Sequence, residues 1–296
     1  MDPNVLLKKD MKEKQEQVNI ILDRYLPRKD EYPKDIHKAL RYSVFAGGKR
    51  LRPYLTLSAY QMYREKLDKI TPVAAAIEMI HAYTLIHDDL PDIDDDDMRR
   101  GKKSCHVVFG EGVALLAGDS LLINAFELIT YADIPDALKV QFVRELGEVA
   151  GIKGLIAGQM EDIDAEGKKT DKKTLNYIHN NKTAKLINIA LRFGALAGRA
   201  PEKELKIIED YGSKIGLVFQ IVDDLLDVEG NQHSLGKSIG KDEAAGKATF
   251  PSQYGVEESR AMAEKLTQEA KQTIATLGDR SIRFRILADN LLERKS

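Results

Sequence analysis

Apolar residues recur at helical spacing along nearly the whole chain, and this periodicity limits the possible folds more than any other feature. They repeat every three or four positions, with almost none of the strict alternation that is typical of β-strands. The pattern therefore predicts an all-α fold. The expected helices cover about 4–25, 34–46, 51–64, 71–90, 111–131, 136–157, 171–198, 202–228, 241–245, 256–275 and 281–293.

The chain contains no obvious linker. Its polar stretches are short and lie at 27–33, 98–104, 164–173 and 229–247. A chain of 296 residues often divides into two domains, but the boundary normally falls in a longer flexible segment. We therefore expect residues 1–296 to form a single domain.

The composition is that of a soluble globular protein, with 43% hydrophobic and 31% charged residues. The 45 Lys and Arg residues nearly balance the 47 Asp and Glu residues, so the charge gives no reason to expect nucleic-acid binding. The single cysteine, Cys105, cannot form an internal disulfide, and the charged N-terminal segment lacks the apolar region of a signal peptide. Both features favour a cytoplasmic location.

The two most apolar segments lie around 73–90 and 113–131. Each contains ionisable side chains, including Glu78, His81 and Asp119, whereas a membrane-spanning helix needs about twenty mostly apolar residues. We expect both segments to be buried central helices, and we expect no stable membrane insertion.

An Asp-Asp-Leu sequence occurs twice, each time where a strongly apolar helix is expected to end. The first copy lies in Ile86–Asp94, and the second lies 135 residues later, in Ile221–Glu229. Either copy alone could be a solvated loop or a surface feature. Two such helices facing each other in a bundle would bring both acidic clusters to one mouth, which favours a shared site.

The first cluster should contain a break in its helix. Ideal helical geometry places Asp88 and Asp92 on one face, with Asp89 beside them. Pro91 removes a backbone donor and would clash with the preceding turn, so the helix should kink or end there. Asp94 could then fold back towards Asp88.

The second cluster should lie on one helix face, because its side chains recur at i, i+3, i+4 and i+7: Gln220, Asp223, Asp224 and Asp227. Two carboxylates about 4 Å apart repel each other by roughly 1 kcal/mol in water and about 4 kcal/mol near a partly buried surface. Carboxylates that end apolar helices therefore need a cation. Oxygen-only ligands favour Mg²⁺ over Mn²⁺ or Ca²⁺.

Several short basic motifs could hold an anionic ligand, and some of them directly follow one of the two clusters. They are the segments 47–53 and 99–103, the pair Lys182-Thr183, and Lys237 and Lys247. Glycines in the first segment let backbone amides approach an anion, and arginine can bind a phosphate through two hydrogen bonds. His81 precedes Asp88 by seven residues and shares nearly the same helix face, so it is either a core histidine or an anion contact.

Together these motifs resemble the trans-isoprenyl diphosphate synthases, the polyprenyl synthetase family, and most closely its bacterial farnesyl diphosphate synthases. The resemblance covers almost the whole chain, through GGKRLRP, HDDLPDIDDDDMRRG, GQMEDI, KTAKLI, QIVDDLLD and LGKSIGKDEAAGKATFP. It implies a helical bundle of the isoprenoid synthase type around a deep central pocket, normally homodimeric. It also implies condensation of isopentenyl diphosphate with dimethylallyl or geranyl diphosphate, with release of diphosphate.

The resemblance implies three Mg²⁺ ions, which Mn²⁺ could replace. Asp88, Asp89 and Asp94 would hold two ions, and Asp223 with Asp224 and Asp227 would hold the third. The residues expected to bind the allylic diphosphate are Arg99, Lys182, Lys237 and Lys247. Those expected to bind isopentenyl diphosphate are Lys49, Arg52, His81 and Arg100, while Thr183 and Gln220 match positions close to the reacting carbons.

The resemblance also addresses product length, because it ties a short product to a bulky residue five positions before the first Asp. That residue is Tyr83. A helical wheel instead places Thr84 on the face of Asp88. The two extra residues between Asp89 and Asp94 are similar to those of farnesyl diphosphate synthases. We follow the family pattern and predict a C15 product, (2E,6E)-farnesyl diphosphate, from a pocket whose floor is set at Tyr83.

Other functions fit parts of the sequence. A geranylgeranyl or other short-chain synthase would share every motif. A terpene cyclase would share the first Asp cluster, but its second metal motif should mix Asn/Asp, Ser/Thr and Glu. A helical metal phosphohydrolase fits the pair His87-Asp88 but has no use for the segment 47–53. A non-catalytic prenyltransferase subunit should have lost acidic residues, and both sets are present here.

Overall fold

The computed structural model describes residues 3–229 and 246–294. Over these ranges the regular structure is almost entirely helical, which confirms the all-α prediction. The α-helices are α1 (Pro3–Tyr25), α2 (Lys34–Val44), α3 (Leu51–Gln61), α4 (Thr71–Asp88), α5 (Cys105–Phe109), α6 (Glu111–Thr130), α7 (Asp136–Ala150), α8 (Leu155–Ala165), α9 (Lys172–His179), α10 (Lys185–Gly198), α11 (Glu202–Glu229), α12 (Phe250–Tyr254), α13 (Val256–Ala275) and α14 (Ile282–Leu292). Short 3₁₀ turns cover Leu67–Lys69 and Gly278–Ser281, and a π-helix covers Asn180–Ala184.

The prediction of one continuous helix over 136–157 is wrong, since α7 ends at Ala150 and α8 begins at Leu155. The chain turns sharply between them: a Cβ on Gly154 would lie 2.0 Å from the carbonyl oxygen of Val149. Only glycine permits so close an approach. The helix expected over 241–245 lies outside the described residues.

A two-stranded hairpin, β1 (Met98–Arg99) and β2 (Lys102–Lys103), was not expected from the sequence. Its turn residues Arg100 and Gly101 both have positive φ, at 53° and 73°. Positive φ at both central positions defines the type I′ turn that suits a tight hairpin. The hairpin follows the first acidic cluster directly and presents two consecutive arginines to the rest of the bundle.

Helix α4 is the central helix, as its apolar sequence predicts, because every residue from 71 to 80 is buried. It packs against α6, α3 and α1, and α10 packs between α3 and α11. Large aromatic side chains fill this core, among them Tyr54, Phe142, Phe193, Tyr211 and Phe284. A second apolar cluster, around Phe250, joins the C-terminal half of α11 to α9, α12 and α13.

Helix α6 differs from the expectation of a fully buried helix. Its inner face packs on α4 and α2, but Leu115, Leu116 and Ile123 are exposed on its outer face. By length and hydropathy alone α6 could cross a membrane. A core helix of a soluble bundle meets the same criterion, so this property is weak evidence for a membrane span.

Candidate active site

One cavity of about 280 Å³ opens among α4, α8, α11 and the π-helix, and both acidic clusters reach it. The first cluster contributes Asp88 and Asp94, and the second contributes Asp223 and Asp224. The structure thus brings the two Asp-Asp-Leu copies together at one mouth.

Most of the other residues singled out in the sequence also reach this cavity. Those that line it are Arg52, His81, Thr84, Arg99, Lys182, Thr183, Gln220 and Lys247. Those outside its lining are Lys49, Tyr83, Asp89, Arg100 and Asp227. Lys237 lies outside the described residues.

The end of α4 places two carboxylates side by side. The helix ends at Asp88, just before Pro91, and the chain then turns so that the backbone N–H of Asp94 donates to the carbonyl of Asp88 at 2.9 Å. This is the fold-back that the proline position predicts. Burial, with the nearby charge of Asp94, raises the pKa of Asp88 to about 6, although Lys182 opposes the shift.

Asp94 has the opposite electrostatic balance to Asp88. Its carboxylate accepts a hydrogen bond from the Lys247 Nζ at 2.8 Å. Burial alone would raise the pKa of Asp94, but the charges of Lys182 and Lys247 outweigh burial and lower it. Asp94 is therefore ionised. It lies beside Asp88, whose charged form is disfavoured by burial.

Asp89 faces a different direction. Its buried carboxylate accepts a hydrogen bond from the Arg99 Nε at 2.9 Å, and a second Arg99 nitrogen lies 3.3 Å from Asp96. The described structure does not bring this carboxylate into the cavity lining, so its role as a metal ligand stays a prediction. What it does here is to hold the Arg99 guanidinium at the cavity wall.

The second cluster divides into an exposed and a buried carboxylate. Asp224 is only 3% exposed, and both its oxygens accept protein hydrogen bonds, from Gln220 Nε2 at 2.7 Å and from the Phe250 backbone N–H at 2.9 Å. Gln220 in turn accepts a hydrogen bond from the Thr183 hydroxyl at 2.8 Å. This series of hydrogen bonds fixes the side chains of Gln220 and Thr183, so the structure gives Asp224 an orienting role. Asp223 is exposed enough to meet a ligand.

The π-helix explains how Lys182 and Thr183 come to face the carboxylates. Such wide turns inside helices occur often at functional sites. Neighbouring helices approach it closely at glycines: a Cβ on Gly158 of α8 would lie 2.5 Å from the Lys182 backbone nitrogen, and one on Gly216 of α11 would lie 2.7 Å from Ala184. The backbone at Lys182 is therefore held tightly from both sides.

Lys182 is a buried cation surrounded by carboxylates. Its Nζ lies 2.6 Å from the carboxylate of Asp162. Burial lowers the pKa of Lys182, but the charges of Asp88, Asp162 and Asp94 together raise it further than burial lowers it. Lys182 is thus fully protonated and available to a further anion.

Arg52 and His81 line another part of the cavity, and Arg100 lies beside His81, outside the lining. Arg52 is buried, and its Nε has no hydrogen-bond partner within the described residues. Burial lowers the pKa of Arg52 to about 10. Burial and the charges of Arg52 and Arg100 lower the pKa of His81 well below its usual value, so neutral His81 accepts a hydrogen bond from Arg100 at 3.4 Å. A buried cation with an unused donor is suited to an anionic ligand.

The glycine-rich segment before α3 supports this part of the cavity. Gly47 and Gly48 have φ of 105° and 112°, and a Cβ on Gly48 would lie 2.6 Å from the Arg100 guanidinium carbon. Arg50 forms a buried ion pair with Glu78 at 2.8 Å. The absence of a side chain at Gly48 therefore leaves space for the Arg100 guanidinium. Arg50 is paired with Glu78 inside the fold.

Sequence reasoning gave no role to several polar residues in or beside this cavity. They include Gln159, Asp162 and His179, which line it, and Arg294, which binds Asp223. Both amide atoms of Gln159 are buried without a hydrogen-bond partner in the described structure, and Asp162 pairs with Lys182. The motif GQMEDI contained both residues, so the signal was present but unassigned. Arg294 binds Asp223 at 2.6 Å from the C-terminal end of the chain, where no pattern marks it.

The donor set of the cavity suits Mg²⁺. Among the described residues, no three Asp, Glu, His or Cys side chains already form a complete metal site. Mg²⁺ does not require one, because it usually takes one or two carboxylates and completes its shell with water and substrate phosphate. Asp88 and Asp94 would supply hard oxygen ligands, and a bound cation would offset the burial and the carboxylate repulsion that raise the pKa of Asp88.

Comparisons with known proteins agree with this geometry. A sequence model of the family described as Polyprenyl synthetase matches residues 33–279. A geranylgeranyl diphosphate synthase of Cyanophora paradoxa is 42% identical, over 96% of this chain and 95% of its own. A farnesyl diphosphate synthase of Escherichia coli K12 is 41% identical, over 94% and 95%. The solved geranyltransferase of Helicobacter pylori, complexed with magnesium and isoprenyl diphosphate, superposes with a TM-score of 0.85 at 30% identity, covering 97% of this chain and 96% of that one.

Proposed function

This chain belongs to the polyprenyl synthetase family and is a prenyltransferase that elongates trans-prenyl diphosphates, and we propose that its product is (2E,6E)-farnesyl diphosphate. In this proposal isopentenyl diphosphate condenses with dimethylallyl diphosphate and then with geranyl diphosphate. The observation that carries the chain-elongation reaction is the meeting of two acidic clusters and several buried cations in one cavity. Such a cavity can hold two diphosphates: that of the allylic substrate, which leaves, and that of isopentenyl diphosphate, which is kept in the product.

The allylic diphosphate is the leaving group and binds at the carboxylate end. Asp88, Asp94 and Asp223 would hold Mg²⁺, which when bound neutralises the developing charge on the departing diphosphate. Lys182 and Arg99 add fixed positive charge on the cavity wall. These cations lower the barrier to breaking the C–O bond, because they are already oriented when the negative charge develops.

The carbocation that forms must be shielded from water, since water would trap it as an alcohol. Apolar side chains of the cavity, including Leu155, Ile178 and Phe219, exclude water from the reacting carbons. Thr183 and Gln220 direct their oxygens into the same region, and Asp224 keeps Gln220 oriented. Their oxygen dipoles stabilise positive charge without acting as nucleophiles.

Isopentenyl diphosphate binds at the other end, against Arg52, so that its double bond reaches the cation. The condensation product then loses a proton. The neighbouring histidines are poor acceptors: burial lowers the pKa of His179 to about 4, and His81 faces two arginines. We propose that the departing diphosphate takes the proton.

The length of the product depends on α4. Thr84 lines the cavity, whereas Tyr83 is 4% exposed and packs beside it, outside the lining. The relatives include both farnesyl and geranylgeranyl synthases, so the C20 product is the second candidate. We favour C15, because the bulky residue Tyr83 stands five positions before the first Asp, where the family pattern ties it to a short product.

We predict that Tyr83→Ala shifts the main product from C15 to C20 or longer, since removal of the ring deepens the cavity. The measurement is mass spectrometry of dephosphorylated products after incubation with Mg²⁺, isopentenyl diphosphate and geranyl diphosphate. Thr84→Ala is the matched control and should keep C15 dominant. The opposite pattern, with a longer product only in Thr84→Ala, would assign the floor to the helical-wheel position.

We also propose that the protein is a homodimer, formed through the outer face of α6. This face exposes Leu116 and Ile123, at 56% and 67%, on a helix whose inner face is core. A second copy of this chain would bury the same surface on both sides. We propose a cytoplasmic location, because the one cysteine, Cys105, is free and buried and the substrates are water-soluble.

The dimer proposal predicts that Ile123→Asp converts the dimer to a monomer, because two carboxylates would then be buried at the interface. Multi-angle light scattering at micromolar protein concentration measures the change. The control is Ile152→Asp, which alters a side chain that is 82% exposed in the turn between α7 and α8. A wild-type monomer, or a dimer that survives Ile123→Asp, would contradict the assignment of this face.

A further inference from the structure

The imidazole of His87 fills a gap between α4 and α6. Its Nε2 lies 3.0 Å from the carbonyl oxygen of Leu115 on α6. A Cβ on Gly118 would lie only 2.1 Å from the same Nε2. The ring therefore occupies space that is open only because residue 118 is glycine, and a hydrogen bond to the α6 backbone fixes it there.

The same imidazole contacts Tyr83, one turn earlier on α4. The two rings meet edge to face, with centroids 5.6 Å apart and planes at 76°. The Tyr83 hydroxyl is buried and has no hydrogen-bond partner among the described residues. Because no hydrogen bond to a described residue anchors the phenol ring, its contacts with neighbouring side chains hold it in place, and His87 provides one of these contacts.

Thr84, the next residue, lines the cavity. In the proposed C15 function Tyr83 limits the product, so a movement of Tyr83 would change the length at which the growing chain stops. Without the imidazole, the ring of Tyr83 would have room to move into the gap beside Gly118. The cavity would then accept one more isoprenyl unit.

We propose that His87 is a positioning residue for product length, holding Tyr83 in place between α4 and α6 through its contact with Leu115 and the space at Gly118. This inference rests on the proposed farnesyl diphosphate synthase function. The proposed role depends on the packing of the His87 imidazole and not on its charge. It adds a contact outside the cavity to the determinants of chain length.

The test compares the C20:C15 product ratio of His87→Ala with that of wild type at equal substrate conversion. We expect the ratio to rise about tenfold, the size of effect that the loss of one aromatic edge contact can produce. His87→Gln keeps an amide donor within reach of the Leu115 carbonyl and should return the ratio towards wild type. A ratio unchanged in His87→Ala would overturn the proposal.

A double mutant separates positioning from a general loosening of the fold. In a Tyr83→Ala background, His87→Ala should add nothing to the ratio, because the ring it positions is absent. Additive effects of the two changes would show that His87 acts on something other than Tyr83, and would also overturn the proposal. Wild-type protein that forms C20 directly would instead refute the proposed C15 function, and the inference with it.

A second pair of variants approaches the same gap from α6. Gly118→Ala places a methyl group where the imidazole lies, so His87 must leave the gap and the ratio should rise. Gly112→Ala, on the same helix, meets no atom within 4 Å and should leave the ratio unchanged. Equal ratios for Gly118→Ala and Gly112→Ala would contradict the role of the gap, even if both proteins fold normally.

Discussion

Asp88→Asn should lower kcat/KM for condensation by about 10³-fold, the largest effect we expect from a single isosteric change. The amide keeps the shape of the carboxylate but removes a charge that faces Lys182 and Asp94 in a partly buried site. Removing one preorganised electrostatic contact at a reacting centre typically costs about 10²- to 10³-fold in rate, or roughly 2.7–4 kcal/mol. Steady-state kinetics at saturating Mg²⁺ measure the loss.

The matched control for this change is Asp92→Asn. Asp92 belongs to the same acidic cluster, but its side chain is exposed and does not line the cavity. It should retain activity within about twofold, as expected for a surface substitution. Equal losses in Asp88→Asn and Asp92→Asn would mean that the net charge of the loop matters and that the cavity geometry does not.

Arg52→Gln should raise KM for isopentenyl diphosphate by about 100-fold, with a much smaller change in KM for geranyl diphosphate. Charge-assisted hydrogen bonds contribute roughly 1.5–3 kcal/mol each, and about 3 kcal/mol corresponds to a factor slightly above 100. We expect this selectivity because the charges that act on Arg52 are those of Glu78, Arg100 and Asp223, whereas Asp94 and Lys247 pair with each other. Initial rates with each substrate varied in turn provide the measurement.

Stability distinguishes this binding role from a structural one. Arg52 is buried and its Nε has no partner in the described residues, so its replacement by a neutral side chain should not lower the melting temperature. Arg64→Gln, at an exposed position outside the cavity, is the control and should change neither KM. A parallel rise in both KM values for Arg52→Gln would contradict a site specific to isopentenyl diphosphate.

The course of α4 could be predicted from the sequence because two strong local rules agree there. The segment is apolar on all sides, which predicts burial, and Pro91 sets the point after which the chain must leave the helix. The position of Asp94 beside Asp88 follows from that break. Residues on α11 were predictable for the same reason, since an uninterrupted helix fixes which side chains share a face.

Features that depend on distant contacts could not be predicted in the same way. Asp89 and Asp88 are neighbours in sequence, yet Asp89 turns to Arg99 because the hairpin returns that arginine to the end of α4. The π-helix at Lys182 depends on Gly158 and Gly216 from two other helices. Neither arrangement has a local periodic signal.

Arg294 illustrates the limit of motif reasoning. Its guanidinium lies over the Phe219 ring at 4.2 Å and binds Asp223, so the segment after α14 lies against two residues of α11 that line the cavity. A single arginine near a chain end has no neighbours that would mark it as functional. Only the folded arrangement of α11 and α14 shows the contact.

The measurement that tests the central claim most directly is diphosphate release by the purified protein with Mg²⁺ and geranyl diphosphate, with and without isopentenyl diphosphate. Release should require isopentenyl diphosphate and should match the C15 product one for one. In chain elongation each allylic cation that forms is captured by the double bond of one isopentenyl diphosphate. Diphosphate released at the same rate without isopentenyl diphosphate, with geraniol or a cyclic hydrocarbon as product, would contradict prenyl chain elongation at this site.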